Sequence, residues 1–455
     1  MTPLTCFKAY DIRGRLGDNL DAGIAARIGA ATARAMGART VVLGRDIRAS
    51  SEELAEAVAR GLMAEGAEVL DLGLCGTEEV YFATAHLGAD AGICVTASHN
   101  PMDYNGMKLV KTGSAPLTPD ELAAIRAEAE AMADVSHAKR GTMRDVSDTR
   151  AAYVARVLSF IDIGALRPLK LLVNAGNGAA GPTFDAIAEA LLAKGAPLEI
   201  VRIHHQPDGS FPNGIPNPLL VENRPATAEA VRAHGADLGV AWDGDFDRCF
   251  LFDREGGFVD GEYVVGLLAE AFLTREPGAG IVHDPRVVWN TQDIVASQGG
   301  RAIQSRTGHA FVKAVMRETG AVYGGEMSAH HYFRDFMACD SGMIPIVLVL
   351  DLMSRRGLPL SELVGARRAA FPSSGEINNR VADVPAAIAA VEAALAGEAV
   401  SRDDTDGLSL AFEDWRLNLR ASNTEPLLRL NVESRGRPDL VAQGVERVER
   451  LIGLR

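Results

Sequence analysis

Cysteine is scarce in this chain. The five cysteines, Cys6, Cys75, Cys94, Cys249 and Cys339, are scattered, odd in number and never spaced as Cys-x-x-Cys. That excludes a disulfide frame and a zinc knuckle, and it fits a reducing, cytoplasmic setting. An apolar signal core is missing between Met1 and Ile12. Nowhere does the chain approach the ~18 consecutive apolar residues of a membrane span, so no membrane partner is expected. Positive charge is in deficit: the formal net charge is -14. A nucleic-acid partner would call for a basic face, so none is expected. Any anionic ligand must be met by a local cluster of cations. What the chain does have is apolar mass: 47% of its 455 residues are hydrophobic, enough for several cores. Length alone suggests about three domains.

One beat recurs three times: strand, polar turn, amphipathic helix, glycine, strand. It runs first from Val41-Val42-Leu43-Gly44 through a helix opening near Ser51 to Gly66 and Leu72. It returns from Leu171-Leu172-Val173 through a helix ending near Lys194 to Leu198–Ile203. The third copy runs from Gly280-Ile281-Val282 through a helix at Thr291–Ser297 to Arg301–Ser305. These are βαβ units, so parallel pairing is expected in each. Ser50-Ser51-Glu52-Glu53 and Thr118-Pro119-Asp120-Glu121 both carry capping-box spacing, the second with proline at the first helical position. Beyond about Pro372 the beat changes. Ala386–Ala396 and Pro438–Leu454 read as helices, while Leu408–Arg420 and Leu427–Glu433 alternate apolar and polar residues like half-buried antiparallel strands. Arg367–Ser374 is a plausible hinge before this last domain.

The chemistry concentrates in loops. The apolar run Ala91–Val95 breaks into Thr96-Ala97-Ser98-His99-Asn100-Pro101, a strand-end loop. Ser98 is the candidate nucleophile, with His99 beside it. Taken alone, a Ser-His pair in a turn is more often a polar turn in which the serine bonds the backbone than a catalyst, because adjacent side chains rarely point at each other. Asp243-Gly244-Asp245-Phe246-Asp247-Arg248 follows another apolar strand. Alternating carboxylates in extended backbone share one side, and hard oxygen ligands suit magnesium. A calcium EF-hand is excluded, because Arg248 and Arg254 stand where Gly and Glu would be required. Gly324-Gly325-Glu326-Met327-Ser328-Ala329-His330 offers Glu326 and Ser328 to hydroxyl groups, as a sugar would need. Arg420-Ala421-Ser422-Asn423-Thr424-Glu425-Pro426 is either a phosphate cradle or a hairpin connection rich in turn formers. Basic turns also occur at Phe7–Gly14, Gly44–Arg48 and Asn105–Lys108; their cations are as readily surface charges.

In this order the four loops resemble those of the α-D-phosphohexomutase family over nearly the whole chain, and Phe7–Gly14 and Arg306–His309 match that family too. The resemblance implies an α/β chain: three related mixed-sheet α/β domains plus a smaller C-terminal α+β domain around a central cleft. The domains would span 1–150 (phosphoserine loop), 151–254 (metal loop), 255–368 (sugar-binding loop) and 369–455 (phosphate-binding loop). Ser98 would be the phosphoserine. Asp243, Asp245 and Asp247 would bind one Mg2+ per chain together with a Ser98 oxygen. Glu326, Ser328 and His330 would meet the sugar. Arg420, Ser422, Asn423 and Thr424 would hold the distal phosphate, with Tyr10. His99, Lys108, Arg13, Arg248 and His309 would position substrate or assist proton transfer.

The activity implied is interconversion of mannose 6-phosphate and mannose 1-phosphate, with hexose 1,6-bisphosphate as activator, feeding nucleotide-sugar synthesis. The partners implied are small-molecule hexose phosphates, for a monomer or homodimer. Glucose phosphate, alone or alongside mannose, is the first alternative, since the two sugars differ only at C2. A metal-dependent serine phosphohydrolase and a catalytically silent sugar-phosphate sensor are more distant ones. Thr77-Glu78 and Asn213-Gly214 depart from commoner forms of the family, as does Ala329.

Overall fold

The computed structural model describes residues 3–135, 140–421 and 427–454. They build two compact units, one of Met1–Phe258 with His330–Gly357, the other of Val259–Ala329 with Leu358–Arg455. No helix among the described residues is long and apolar enough to cross a membrane.

In the first unit the apolar runs become central strands. Thr40–Arg45 lies parallel to both Glu68–Leu74 and Ala91–Val95, with Val41 opposite Val69 on one side and Ala91 on the other. The helices Ser51–Ala64 and Thr77–His86 supply the crossovers that parallel pairing requires. Tyr104–Lys111 then turns back antiparallel on Ala91–Val95, placing Cys94 opposite Lys108 and Val95 opposite Met107. Ile12–Arg15 is antiparallel to that strand in turn. The sheet is therefore mixed. All of Ala91–Val95 is buried, as befits a strand covered on both faces, and its end is a rigid origin for the loop that follows. A second sheet repeats the pattern. Leu169–Asn174 is parallel to Leu198–Ile203 and to Leu238–Trp242, and Cys249–Asp253 folds back antiparallel with Trp242 opposite Cys249. Residues 243–248 connect those last two strands.

In the second unit Gly280–His283 runs parallel to both Arg301–Gln304 and Tyr323–Gly325. All three copies of the beat thus form parallel pairs. The C-terminal sheet is antiparallel, in the order Ser373–Asn379, Leu428–Ser434, Trp415–Ala421, Leu408–Ala411, Ser401–Asp403. Helices Val384–Leu395 and Pro438–Leu451 bury Val391, Leu395 and Val448 against Leu410, Leu417, Leu419, Leu430 and Val432.

Two local readings need correction. The run Leu408–Arg420 is not one strand but two, Leu408–Ala411 and Trp415–Ala421, paired across a tight turn in which the Phe412 N–H donates to the Trp415 carbonyl at 2.8 Å. The capping box expected at Ser50 does not form. Ser50 has helical φ/ψ and makes no side-chain cap; its hydroxyl accepts from Asn105 Nδ2 at 2.8 Å instead. The box at Thr118 does form. Glu121 N–H donates to Thr118 Oγ at 3.2 Å, and Thr118 N–H donates to the Glu121 carboxylate at 2.7 Å.

Candidate functional site

Ser98 lies three residues past the end of the buried strand Ala91–Val95, and its backbone is left-handed, with φ of 49°. A non-glycine residue holds that conformation only where its surroundings over-determine it. Here they do. Thr96 Oγ accepts from the Ser98 N–H at 2.8 Å and donates to Asp46 at 2.7 Å. The Arg48 guanidinium donates to the carbonyls of Ser98 (2.8 Å), Asn100 (2.5 Å) and Pro101 (3.0 Å), so one buried cation ties the whole loop. The Ser98 hydroxyl donates to Asp243 Oδ2 at 2.6 Å and lies 3.0 Å from His99 Nδ1. The adjacent serine and histidine do face each other, contrary to the usual fate of neighbours. Arg248 touches His99 Nδ1 and donates to Asp243 Oδ2 at 2.9 Å and to Ser98 Oγ at 3.3 Å. Neighbouring groups that strip water from the ring, and then the Arg248 charge, hold the His99 pKa below its usual value.

The three aspartates converge, but not by strand alternation. Residues 243–248 form a turn rather than extended backbone, and Phe246 is left-handed with φ of 45°. Its ring is pressed on Gly76, where any Cβ would lie 2.2 Å from Phe246 Cζ. A Cβ on Gly244 would lie 2.5 Å from the Ser98 carbonyl oxygen, so glycine there lets the metal loop lie against the serine loop. One oxygen from each of Asp243, Asp245 and Asp247 falls within 4.8 Å of the others. Lys108 donates to Asp245 Oδ2 at 2.6 Å and also contacts Asp247. Thr77 donates to Asp245 Oδ2 at 2.6 Å.

Burial resists ionisation throughout this cluster. Arg248, His99 and Lys108 overcome it for Asp243, whose pKa falls well below the carboxylate range. Lys108 does the same for Asp245. Asp247 goes the other way, to about 6, through burial and the charge of Asp245. Asp245 Oδ1 and Asp247 Oδ1 are buried without a hydrogen-bond donor among the described residues. Two orphaned oxygens, three carboxylates and a serine oxygen beside them fit a hard divalent cation. His330 Nδ1 bonds Asp340 Oδ2 at 2.9 Å and lies 4.0 Å from Asp247 Oδ1. Burial opposes its protonation, yet Asp247 and Asp340 together raise its pKa. Arg13, donating to Asp11 at 2.9 Å and reaching the Thr96 carbonyl at 3.4 Å, completes this group. Tyr10 is half-buried in the turn just before it.

Of the residues expected to meet sugar or phosphate, Glu326, Ser328 and Arg420 lie in the second unit, while His330 and Tyr10 belong to the first. Glu326 Oε1 accepts from the Gly308 N–H at 2.9 Å, which ties it to the loop opening the helix His309–Thr319. Ser328 Oγ accepts from Arg286 at 3.1 Å. Arg420 is buried and donates to Glu376 at 2.7 Å. Ser422, Asn423 and Thr424 fall outside the described residues.

Four family models match successive segments. They are described as phosphoglucomutase/phosphomannomutase domains, with α/β/α domain I on residues 5–135, domain II on 151–257, domain III on 260–371 and the C-terminal domain on 376–451. The chain belongs to the phosphoglucomutase/phosphomannomutase family. A phosphomannomutase of Salmonella montevideo is 60% identical over 439 residues, 96% of each chain. A protein of Xanthomonas campestris pv. campestris (strain B100) named for phosphohexose mutases is 54% identical over 99% of each. The crystal structure of a phosphoglucomutase/phosphomannomutase family protein from Burkholderia thailandensis superposes with a TM-score of 0.87. It is 34% identical, covering 99% of this chain and 98% of that one.

Several residues of this family member are central to the geometry yet were not singled out in the sequence. Arg48 stood among generic basic turns; it is 3% exposed and holds the serine loop. Thr77 stands in the sequence reading only as a departure from commoner family forms and Asp46 only within a basic turn, while Asp340, Arg286 and Glu376 are absent from it. A strand-end position was the available signal for Asp46, Arg48 and Arg286. Nothing local marks Asp340 or Glu376.

Proposed function

We propose that this chain is a phosphomannomutase, an isomerase that moves a phosphoryl group between O6 and O1 of mannose by way of Ser98. The observation that carries the reading is the Ser98 hydroxyl 2.6 Å from a carboxylate of a buried aspartate trio with two orphaned oxygens. The high identity to relatives named phosphomannomutase supports mannose as the sugar.

The reaction begins with a phosphate monoester on Ser98. A hydroxyl of the bound hexose phosphate attacks phosphorus, the bond to Ser98 Oγ breaks, and a hexose 1,6-bisphosphate forms. The hydroxyl proton passes to a base of the site, for which His330 is a group this chain supplies. The sugar reorients, and its other phosphate is transferred back to Ser98. Covalent catalysis thereby splits one intermolecular transfer into two steps. Magnesium, held by Asp243, Asp245, Asp247 and Ser98, would offset the charge of the transferred group. Arg248 and Arg13 add fixed positive charge. Lys108 keeps Asp245 and Asp247 ionised, and His99 orients the serine oxygen. Glu326, Ser328 and His330 are the residues assigned to sugar hydroxyls, and His309 to positioning the substrate. Arg420 anchors the far phosphate with Ser422, Asn423, Thr424 and Tyr10. Hexose 1,6-bisphosphate reloads any Ser98 that has lost its phosphoryl group. The domain limits 1–150, 151–254, 255–368 and 369–455 belong to the same reading, as does a cytoplasmic monomer or homodimer.

Incubation with mannose 1-phosphate, magnesium and a trace of hexose 1,6-bisphosphate should yield mannose 6-phosphate. Release of free phosphate instead would identify a phosphohydrolase. Ser98→Ala should abolish turnover while the far-ultraviolet spectrum stays unchanged; substantial residual activity would refute the nucleophile. The family models, named for phosphoglucomutase as well as phosphomannomutase, support glucose 1-phosphate as a second substrate, measured in the same assay.

A further inference from the structure

In the second unit three guanidiniums converge on one carboxylate. Glu376 Oε2 accepts from Arg420 Nη2 at 2.7 Å and lies 3.5 Å from Arg286 Nη1, while Oε1 accepts from Arg429 Nη1 at 3.1 Å. Arg420 and Arg429 are directly opposite in the antiparallel pair Trp415–Ala421 and Leu428–Ser434. Like charges so placed repel unless an anion sits between them. Arg286 carries the array toward the sugar loop. Its Nη2 donates to Asp284 at 2.6 Å and to Ser328 Oγ at 3.1 Å, and lies 3.6 Å from Glu326. Arg420 Nε is buried and has no partner among the described residues, so the fork of that arginine is only partly used.

Planar donor forks around an anionic oxygen pair form the arrangement that also recognises a phosphate monoester. The array balances three cations, Arg286, Arg420 and Arg429, against three anions, Asp284, Glu326 and Glu376. Among these described residues, an arriving phosphate dianion therefore meets arginines already matched by carboxylates while Glu376 holds its place.

We propose that Glu376 is a resident counter-anion of the phosphate cradle, a positioning residue that aligns the arginines between turnovers and limits how tightly they hold the substrate phosphate. This rests on the reading of Arg420 as the phosphate anchor. A mutase must release and re-grip its bisphosphate in two orientations, and an internal competitor keeps that grip reversible. The three arginines overcome burial to hold the Glu376 pKa below its usual value, so the competitor stays charged.

The test uses the full-length enzyme, inorganic phosphate as inhibitor and mannose 1-phosphate as substrate. Glu376→Gln should lower both the inhibition constant for phosphate and KM by roughly tenfold, the effect of removing one adjacent like charge, while kcat falls. A merely structural Glu376 would do the reverse, since loosened arginines bind phosphate less well. An unchanged or raised inhibition constant overturns the proposal. Should Glu376→Gln fail to fold, Glu376→Asp is read instead. Its carboxylate is one methylene farther back, so the same constant should fall by about threefold, and an unchanged value overturns the proposal. Arg420→Lys separates this from the underlying reading. If it leaves KM and phosphate inhibition unaltered, the anchor assignment itself fails. If it raises both while the Glu376 variants lower neither, only the counter-anion fails.

Discussion

A buried carboxylate oxygen with no donor is costly unless something absent from the bare chain meets it. Among the described residues Asp245 Oδ1 and Asp247 Oδ1 are such oxygens, which gives the proposed magnesium dependence a physical origin. Asp245→Asn removes one charge from the trio. It should raise the magnesium concentration for half-maximal activity by at least about tenfold in a titration after chelator treatment. An unchanged titration would remove Asp245 from the metal set. Glu262 is a buried acid of another kind, 3% exposed. Burial and then the charge of Asp260 raise its pKa to about 7, and Ser373 donates to it at 2.8 Å. Because the folded-state pKa lies above the unfolded one, its contribution to stability is complete below about pH 4.5 and is lost as pH rises through about 7. Glu262→Gln, which keeps the hydrogen bond to Ser373, should therefore raise the melting temperature at pH 8 and leave it unchanged at pH 5. Equal shifts at both values would contradict the linkage. The serine and the aspartates were legible in sequence because each motif is contiguous. Arg48 and Glu376 were not, because what defines them is a set of partners 44 or more positions away along the chain.

Helix ends show how far local rules reach. Thr118 and Glu121 satisfy each other within one turn, so spacing alone foretold their box. Ser50 has the same spacing, but Asn105, far along the chain, draws off its hydroxyl. Thr118→Ala should therefore destabilise the protein by about 1 kcal/mol in chemical unfolding, the usual value of a lost N-cap. Ser50→Ala should leave the intrinsic stability of its helix unchanged, and any loss should vanish in an Asn105→Ala background. The missed turn within Leu408–Arg420 has a different lesson. The buried side chains Leu408 and Leu410 fall on even positions, whereas Leu417 and Leu419 fall on odd ones. Alternation changes phase between them, and that shift was the signal, hidden because Phe412-Glu413-Asp414 contains neither glycine nor proline. The aspartate loop misled in the opposite direction. Its i, i+2, i+4 spacing suggested a pleat, and tight packing of Phe246 on Gly76 makes a turn that brings the same oxygens together.

At the scale of the molecule, the three strand-helix-strand beats and the alternating C-terminal segment foretold four sheets of the right kinds, because repeated hydrophobic period is a global property of sequence. The separation of His330–Gly357 from the rest of its sequence neighbourhood was not foretold, since long-range packing decides which unit a segment joins. That division gives the scattered cysteines a practical meaning. All five are buried, and all five belong to the unit that contains Ser98. Burial pushes the Cys6 and Cys249 thiols up, and the hydrogen bond with Cys94 and then burial push Cys75 up, away from the reactive thiolate. A thiol-labelling reagent should leave the native protein unmodified. Under increasing denaturant, the labelling rate then clocks the opening of the nucleophile-bearing half alone, with the other half spectroscopically silent: a built-in, single-channel stopwatch for one of the two bodies.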